Sequence, residues 1–108
     1  MPLTVAKLMS KMPEAFIPEK AVGLNATIQF NFTGEEQGSW YAVIKDGAVK
    51  VDQGVNPGPT MTLTADSADY IKVFTGELDP MSAFMQGKLK LQGDLNLAMK
   101  MSQFFKMR

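Results

Sequence analysis

The period of the hydrophobic positions changes several times along this chain, and each change marks an element. Val5, Leu8, Met9 and Met12 recur at helical spacing behind Thr4, whose hydroxyl suits an N-cap, and Pro13 is expected to end this first helix. Glu14 to Ile17 reads as one further turn, and Pro18-Glu19-Lys20-Ala21 as the start of another helix. From Ala26 the period becomes two. Ile28, Phe30 and Phe32 alternate with Thr27, Gln29, Asn31 and Thr33, as in a strand with one buried face. After a loop from Gly34 to Gly38, Trp40, Ala42 and Ile44 alternate with Tyr41, Val43 and Lys45, and Asp46-Gly47 predicts a tight hairpin into Val49 and Val51. Gly54 to Pro59 is a turn-rich loop. Beyond it Met61, Leu63 and Ala65 alternate with threonines as a fourth strand.

In the second half the signals are helix caps. Asp66, with Asp69 three residues on, opens a helix whose buried side is Tyr70, Ile71, Val73 and Phe74, and Gly76 stops it. Asp79 and Pro80 open another, in which Met81, Phe84 and Met85 line one face, suited to a surface or a cavity that adapts to an apolar guest, and Gly87 closes it. Leu89 and Leu91 then point inward from a fifth strand, with Lys88 and Lys90 outward. Asp94 opens a last helix from Leu95 to about Met107, where Leu97, Met101, Phe104 and Phe105 form a core-facing stripe. The order is helices, a four-strand meander, helices, a fifth strand and a final helix. It predicts an α+β domain over residues 1–108, an α/β sandwich in which a five-stranded, mostly antiparallel sheet is covered on one face by helices. Because the fifth strand arrives after two helices, it is expected to pair in parallel with an earlier strand through a right-handed crossover.

Composition narrows the chemistry. With 45% apolar and 20% charged residues, the 108-residue chain fits one globular core and not a disordered or coiled-coil protein. Its longest unbroken apolar run, Trp40 to Ile44, is far too short for a transmembrane helix. The N-terminus lacks a basic segment followed by an apolar core, so no secretory signal is expected and the location is read as cytoplasmic. There is no Cys and no His, which removes the thiolate nucleophile, the commonest acid/base group and the commonest transition-metal ligands. Glu35 with Glu36 and Asp66 with Asp69 resemble acid/base pairs, but loop solvation and helix capping account for them. Ser39, Ser67, Ser82 and Ser102 lack a His partner, and no Gly-rich phosphate loop follows a strand. No enzyme activity, cofactor or metal site is expected. Net charge is zero, yet residues 88 to 108 carry +4 and the remainder −4. This basic end suits transient contact with an anionic membrane surface, or simply complements the last helix dipole. Nucleic acid is not an expected partner.

Taken in order, Leu78-Asp79-Pro80, Ala83-Phe84-Met85-Gln86-Gly87-Lys88-Leu89-Lys90, Gly93-Asp94 and Leu97-Ala98-Met99-Lys100, supported by Trp40, Lys45-Asp46-Gly47 and Asp66, resemble the sterol carrier protein 2 family, the non-specific lipid-transfer domain. The spacing agrees from about residue 5 to the end. The resemblance implies a sheet and helices enclosing an apolar tunnel for a fatty acid, acyl-CoA, phospholipid or sterol, and hence a non-catalytic lipid carrier. It implies Trp40 on the sheet, Phe84 and Met85 on the Pro80 helix, and Met99 and Phe104 on the last helix as tunnel-lining residues. Met99 stands where relatives can carry a polar residue, which implies a more apolar pocket end. Nine methionines, six of them from Met61 onward, would let such a pocket repack around different guests, although the same residues also serve as core filler. Family members of animal peroxisomes often end in a Ser-Lys-Leu-like tripeptide, whereas this chain ends Lys106-Met107-Arg108, so peroxisomal targeting is not expected. The competing reading is an accessory module that docks the Met and Phe surface of the last helix onto an enzyme or a second copy. The sequence leaves the oligomeric state open.

Overall fold

The computed structural model of the chain describes residues 4–94 and 96–97. Beyond its opening at Asn96 and Leu97, the expected last helix lies outside the described residues, and so do Met99 and Phe104. Helix α1 (Val5–Ala15) is capped by Thr4, whose side chain accepts a hydrogen bond from the Lys7 N–H at 3.1 Å. It runs through Pro13 instead of stopping there. Proline's fixed φ is helical, and near a C-terminus its missing N–H forfeits only one intrahelical bond. Pro18–Lys20 forms a single 3-10 turn, not a new helix.

The hairpin signals hold. Strands β1 (Ala26–Thr33), β2 (Gly38–Lys45) and β3 (Ala48–Gln53) form an antiparallel meander, and Asp46 and Gly47 turn at φ 54 and 75, as a type I′ connection requires. The meander ends at three strands. Strand β4 (Met61–Asp66) pairs in parallel with β1, Ile28 opposite Met61, and β5 (Leu89–Gly93) pairs antiparallel with β4, giving the order β3-β2-β1-β4-β5. Both expectations about strand order are therefore corrected: β4 is not next to β3, and the parallel pair is β1 with β4, not one made by the fifth strand. Burial explains the exchange. Met61, Leu63 and Ala65 are almost completely covered and need a central position, whereas β3 exposes Ala48 and Lys50 as an edge strand can.

To reach that central place the chain from Gly54 to Thr60 crosses β2 and β1, and Gln29 holds it down. The Gln29 amide donates to the carbonyls of Gly54 and Trp40 at 3.1 and 3.0 Å and accepts the Asn56 N–H at 2.7 Å. A buried glutamine on the face opposite Phe30 is thereby fully used. On the other face, Ile28, Phe30, Ile44 and Met61 pack under α1, helix α2 (Ser67–Thr75) and helix α3 (Pro80–Met85). Met9, Met12 and Met61 are fully buried core filler. Asp66 caps α2 by accepting from Ala68 and Asp69, and Gly76 ends it in the left-handed region.

One tie spans three elements. The Glu36 carboxylate, in the β1–β2 loop, accepts the Val5 and Ala6 N–H groups at 2.7 and 2.8 Å, while its own N–H donates to Ser67 Oγ at 3.2 Å. It joins the start of α1 to the start of α2, and is not merely a solvated loop residue.

Candidate functional site

Of the five residues expected to line a tunnel, the three that are described, Trp40, Phe84 and Met85, do not form one cluster. Trp40 is half-buried on β2, beside Phe30 and Gln53 and packed against the core. Phe84 and Met85 belong to α3, which packs on β5 at the other edge of the sheet. From β2 to β5 is three strand spacings, about 14 Å, so a tunnel touching both would have to run across the strands.

Local chemistry sets α3. The Asp79 carboxylate accepts the Ser82 N–H at 3.0 Å, and the helix closes with Gly87 N–H to Phe84 carbonyl and Lys88 N–H to Ala83 carbonyl, the paired bonds of a Schellman motif. The residue it turns to the core is Ala83, fully buried. Met81, Phe84 and Met85, which share one face of the helix, are 52, 41 and 78% exposed. A small residue lets this short helix lie close to β5, and the larger side chains at the neighbouring positions then face outward.

Sequence reasoning missed a cleft of about 400 Å³ at the opposite end of β5. Leu24, Ala26 and Leu97 give it an apolar floor continuous with the core, and Lys20, Asn25, Thr60, Asp94 and Asn96 surround the mouth. Asp94 is already engaged, since its Oδ1 accepts the Asn96 and Leu97 N–H groups at 3.0 and 3.2 Å, the bonding of a helix N-cap. Thr60 Oγ1 accepts the Thr27 N–H at 3.0 Å. Lys20 makes no ion pair among the described residues. The cleft thus offers an apolar slot with amides and one unpaired ammonium at its rim, and its volume falls within the range of small-molecule sites, about 300–1,000 Å³. Three separate segments, residues 20–26, Thr60 and residues 94–97, supply these residues. Most of them lie in turns and at element ends, and the parallel β1–β4 and antiparallel β4–β5 pairings bring them together.

An aromatic cluster joins β1 to α2. Phe30 stacks on Phe32 with centroids 6.1 Å apart, and Tyr70 meets Phe32 at 4.9 Å and Phe74 at 6.4 Å. Burial pushes the Tyr70 phenol above the usual tyrosine range. Below about pH 10 both folded and unfolded chains keep that proton, whereas above it the unfolded chain releases it first and gains free energy. Stability is therefore expected to fall by up to about 1.4 kcal/mol per pH unit above about pH 10, more steeply in the wild type than in Tyr70→Phe. Denaturant titrations of the two proteins between pH 9 and 11 check this, and parallel slopes would contradict it.

Three comparisons bear on the arrangement. A sequence model described as the SCP-2 sterol transfer family matches residues 6–106. Hydroxysteroid dehydrogenase-like protein 2 of Xenopus tropicalis is 40% identical over 95 residues, covering 86% of this chain and 23% of the relative, so the chain spans about a quarter of that protein's length. Among solved structures, sterol carrier protein 2 like 2 from Aedes aegypti superimposes with a TM-score of 0.73 at 27% identity, over 92% of this chain and 90% of the mosquito chain. The palmitated form of that mosquito protein, solved in solution, gives a TM-score of 0.73 at 23% identity, covering 94% of this chain and 93% of its own.

Proposed function

The chain belongs to the SCP-2 sterol transfer family, and from that membership we propose that it is a non-catalytic domain holding one apolar lipid, with the acyl or ring portion entering the cleft between Leu24 and Leu97. The observation that carries the reading is the cleft itself, whose apolar floor is continuous with the core while its rim is polar. Burying an acyl chain there gains about 0.8 kcal/mol per methylene, so affinity needs no dedicated chemistry at the head. Lys20 would meet an anionic headgroup. That the related mosquito protein has been solved with palmitate supports an acyl guest.

Native mass spectrometry of freshly purified protein, followed by extraction of what it releases, tests the proposal. A near-stoichiometric acyl lipid or sterol is the expected result. An empty chain that also ignores an added panel of fatty acids, acyl-CoAs and sterols would overturn it. Lys20→Glu should weaken a fatty acid about threefold and leave the matching fatty alcohol unchanged, as expected of one solvent-screened charge.

A second reading is favoured by the relatives, in which the matched region is a quarter of a dehydrogenase-like protein. An accessory module of that kind would change its mass with protein concentration and ignore lipids.

A further inference from the structure

Strand β3 forms one edge of the sheet, and its backbone groups divide into two sets. The two-residue Asp46-Gly47 turn closes on a hydrogen-bonded Lys45 and Ala48 pair, and at the far end the Gly54 N–H donates to the Ser39 carbonyl at 2.8 Å. Even-numbered residues of β3 therefore bond to β2, and the N–H and C=O groups of Val49, Val51 and Gln53 turn to the open side. Among the described residues no strand lies beyond them. A row of such groups is a template for one more strand.

We propose that this edge pairs with the same edge of a second copy of the chain, antiparallel about a twofold axis at Val51, to give one continuous sheet. Val51 then exchanges backbone bonds with Val51 of the second copy, and Val49 does so with Gln53 of that copy, all through groups that face outward. The association uses no residue of the cleft.

Charge selects both the occupant and the register. Val49 and Val51 pack against the core, so alternation puts Lys50 and Asp52 on the sheet face away from the helices, with side chains 80 and 45% exposed. Within one copy they reach each other only at 3.9 Å. With Val51 opposite its own copy, each Lys50 stands directly across from Asp52 of the other chain, which makes two symmetric pairs of opposite charge. Sliding to Val49 opposite Val51 would set Lys50 against Lys50, and sliding the other way would set Asp52 against Asp52. Only the twofold at Val51 satisfies both charges. The opposite edge of the sheet has no such complementarity, since β5 carries Lys90 and no acidic residue.

Sedimentation velocity of the full chain tests this across about 10–1,000 μM, the range expected of an edge that buries less than the roughly 800 Å² per partner of a stable interface. The expected result is a reversible dimer whose population rises with concentration. Lys50→Glu and Asp52→Lys, each alone, should weaken it about tenfold, because both cross-copy pairs turn from attraction to repulsion. Mixed together, the two variants should associate at least as tightly as the wild type, since every charge then faces its opposite. Both side chains are solvent-exposed, so the melting temperature of each dilute variant should stay near that of the wild type. Amide exchange at Val49, Val51 and Gln53 should slow as the wild type is concentrated, while Lys50 and Asp52, bonded to β2, stay protected throughout. A wild type of constant mass would overturn the proposal. So would association that neither substitution weakens, or a mixture of the two variants that fails to associate, because each would show that the copies do not meet in this register.

Discussion

Gly93→Ala is expected to lose about 2–5 kcal/mol of unfolding free energy and to loosen β5 from the sheet. Two costs combine. Gly93 has φ 95, a conformation that L-residues adopt only with strain, which contributes about 1–2 kcal/mol. A Cβ there would also lie 2.5 Å from the Thr60 carbonyl oxygen and 2.9 Å from Met61 Cα. These are backbone atoms of the adjacent strand entry and cannot rotate away, so the clash contributes about 1–3 kcal/mol more. Gly87→Ala is the control, since its φ of 78 is similarly strained but its added Cβ meets nothing within 4 Å. It should cost only the strain. Urea titration of both variants, with amide exchange at Leu89 and Leu91, separates the two contributions. Equal losses would show that the backbone gives way without cost.

The second large effect is expected at Glu36. Removing its carboxylate in Glu36→Ala leaves the Val5 and Ala6 N–H groups without their acceptor and takes a negative charge from the N-terminus of α1. Bonds to a charged group at a helix start support an expected loss of about 2–3 kcal/mol, accompanied by faster amide exchange at Val5 and Ala6. Glu36→Gln should lose roughly half as much, because one oxygen can still accept. A change below about 0.5 kcal/mol in Glu36→Ala would mean that water replaces the carboxylate without penalty.

These two sites show where sequence reading succeeds and where it stops. Thr4, Asp66, Asp79 and Asp94 each accept the backbone N–H groups that cap chemistry assigns them, and Asp46-Gly47 makes the expected turn, because every partner lies within a few residues. The alternation in β1, β2 and β4 identified their buried faces for the same reason. Strand order was not legible. Whether β4 follows β3 or moves to the far side of β1 depends on which strand can bury both neighbours, and on Gln29 holding a loop more than 20 residues distant. The facing of α3 was also ambiguous, since fewer than two turns cannot distinguish a stripe of Met81, Phe84 and Met85 from a single inward Ala83. Of the expected tunnel residues, Trp40 is half-buried on the sheet, whereas the cleft from Leu24 to Leu97 is assembled mostly from turn and strand-end residues whose meeting only the strand pairings decide. Glu36 looked like solvated loop charge because its partners lie about 30 residues earlier.

The central place of β4 also has a kinetic meaning. β1, β2 and β3 are joined by short turns and can zip together soon after they leave the ribosome, yet one edge of β1 then stays open until Met61 to Asp66 emerge, more than 30 residues after their partners. During that interval Ile28, Phe30 and Phe32 form an apolar strand with unpaired backbone groups, the state most apt to recruit a neighbouring nascent chain. The crossing loop that Gln29 fastens must then close before that edge is covered, and slower closure is expected to appear first as a lower yield of soluble protein.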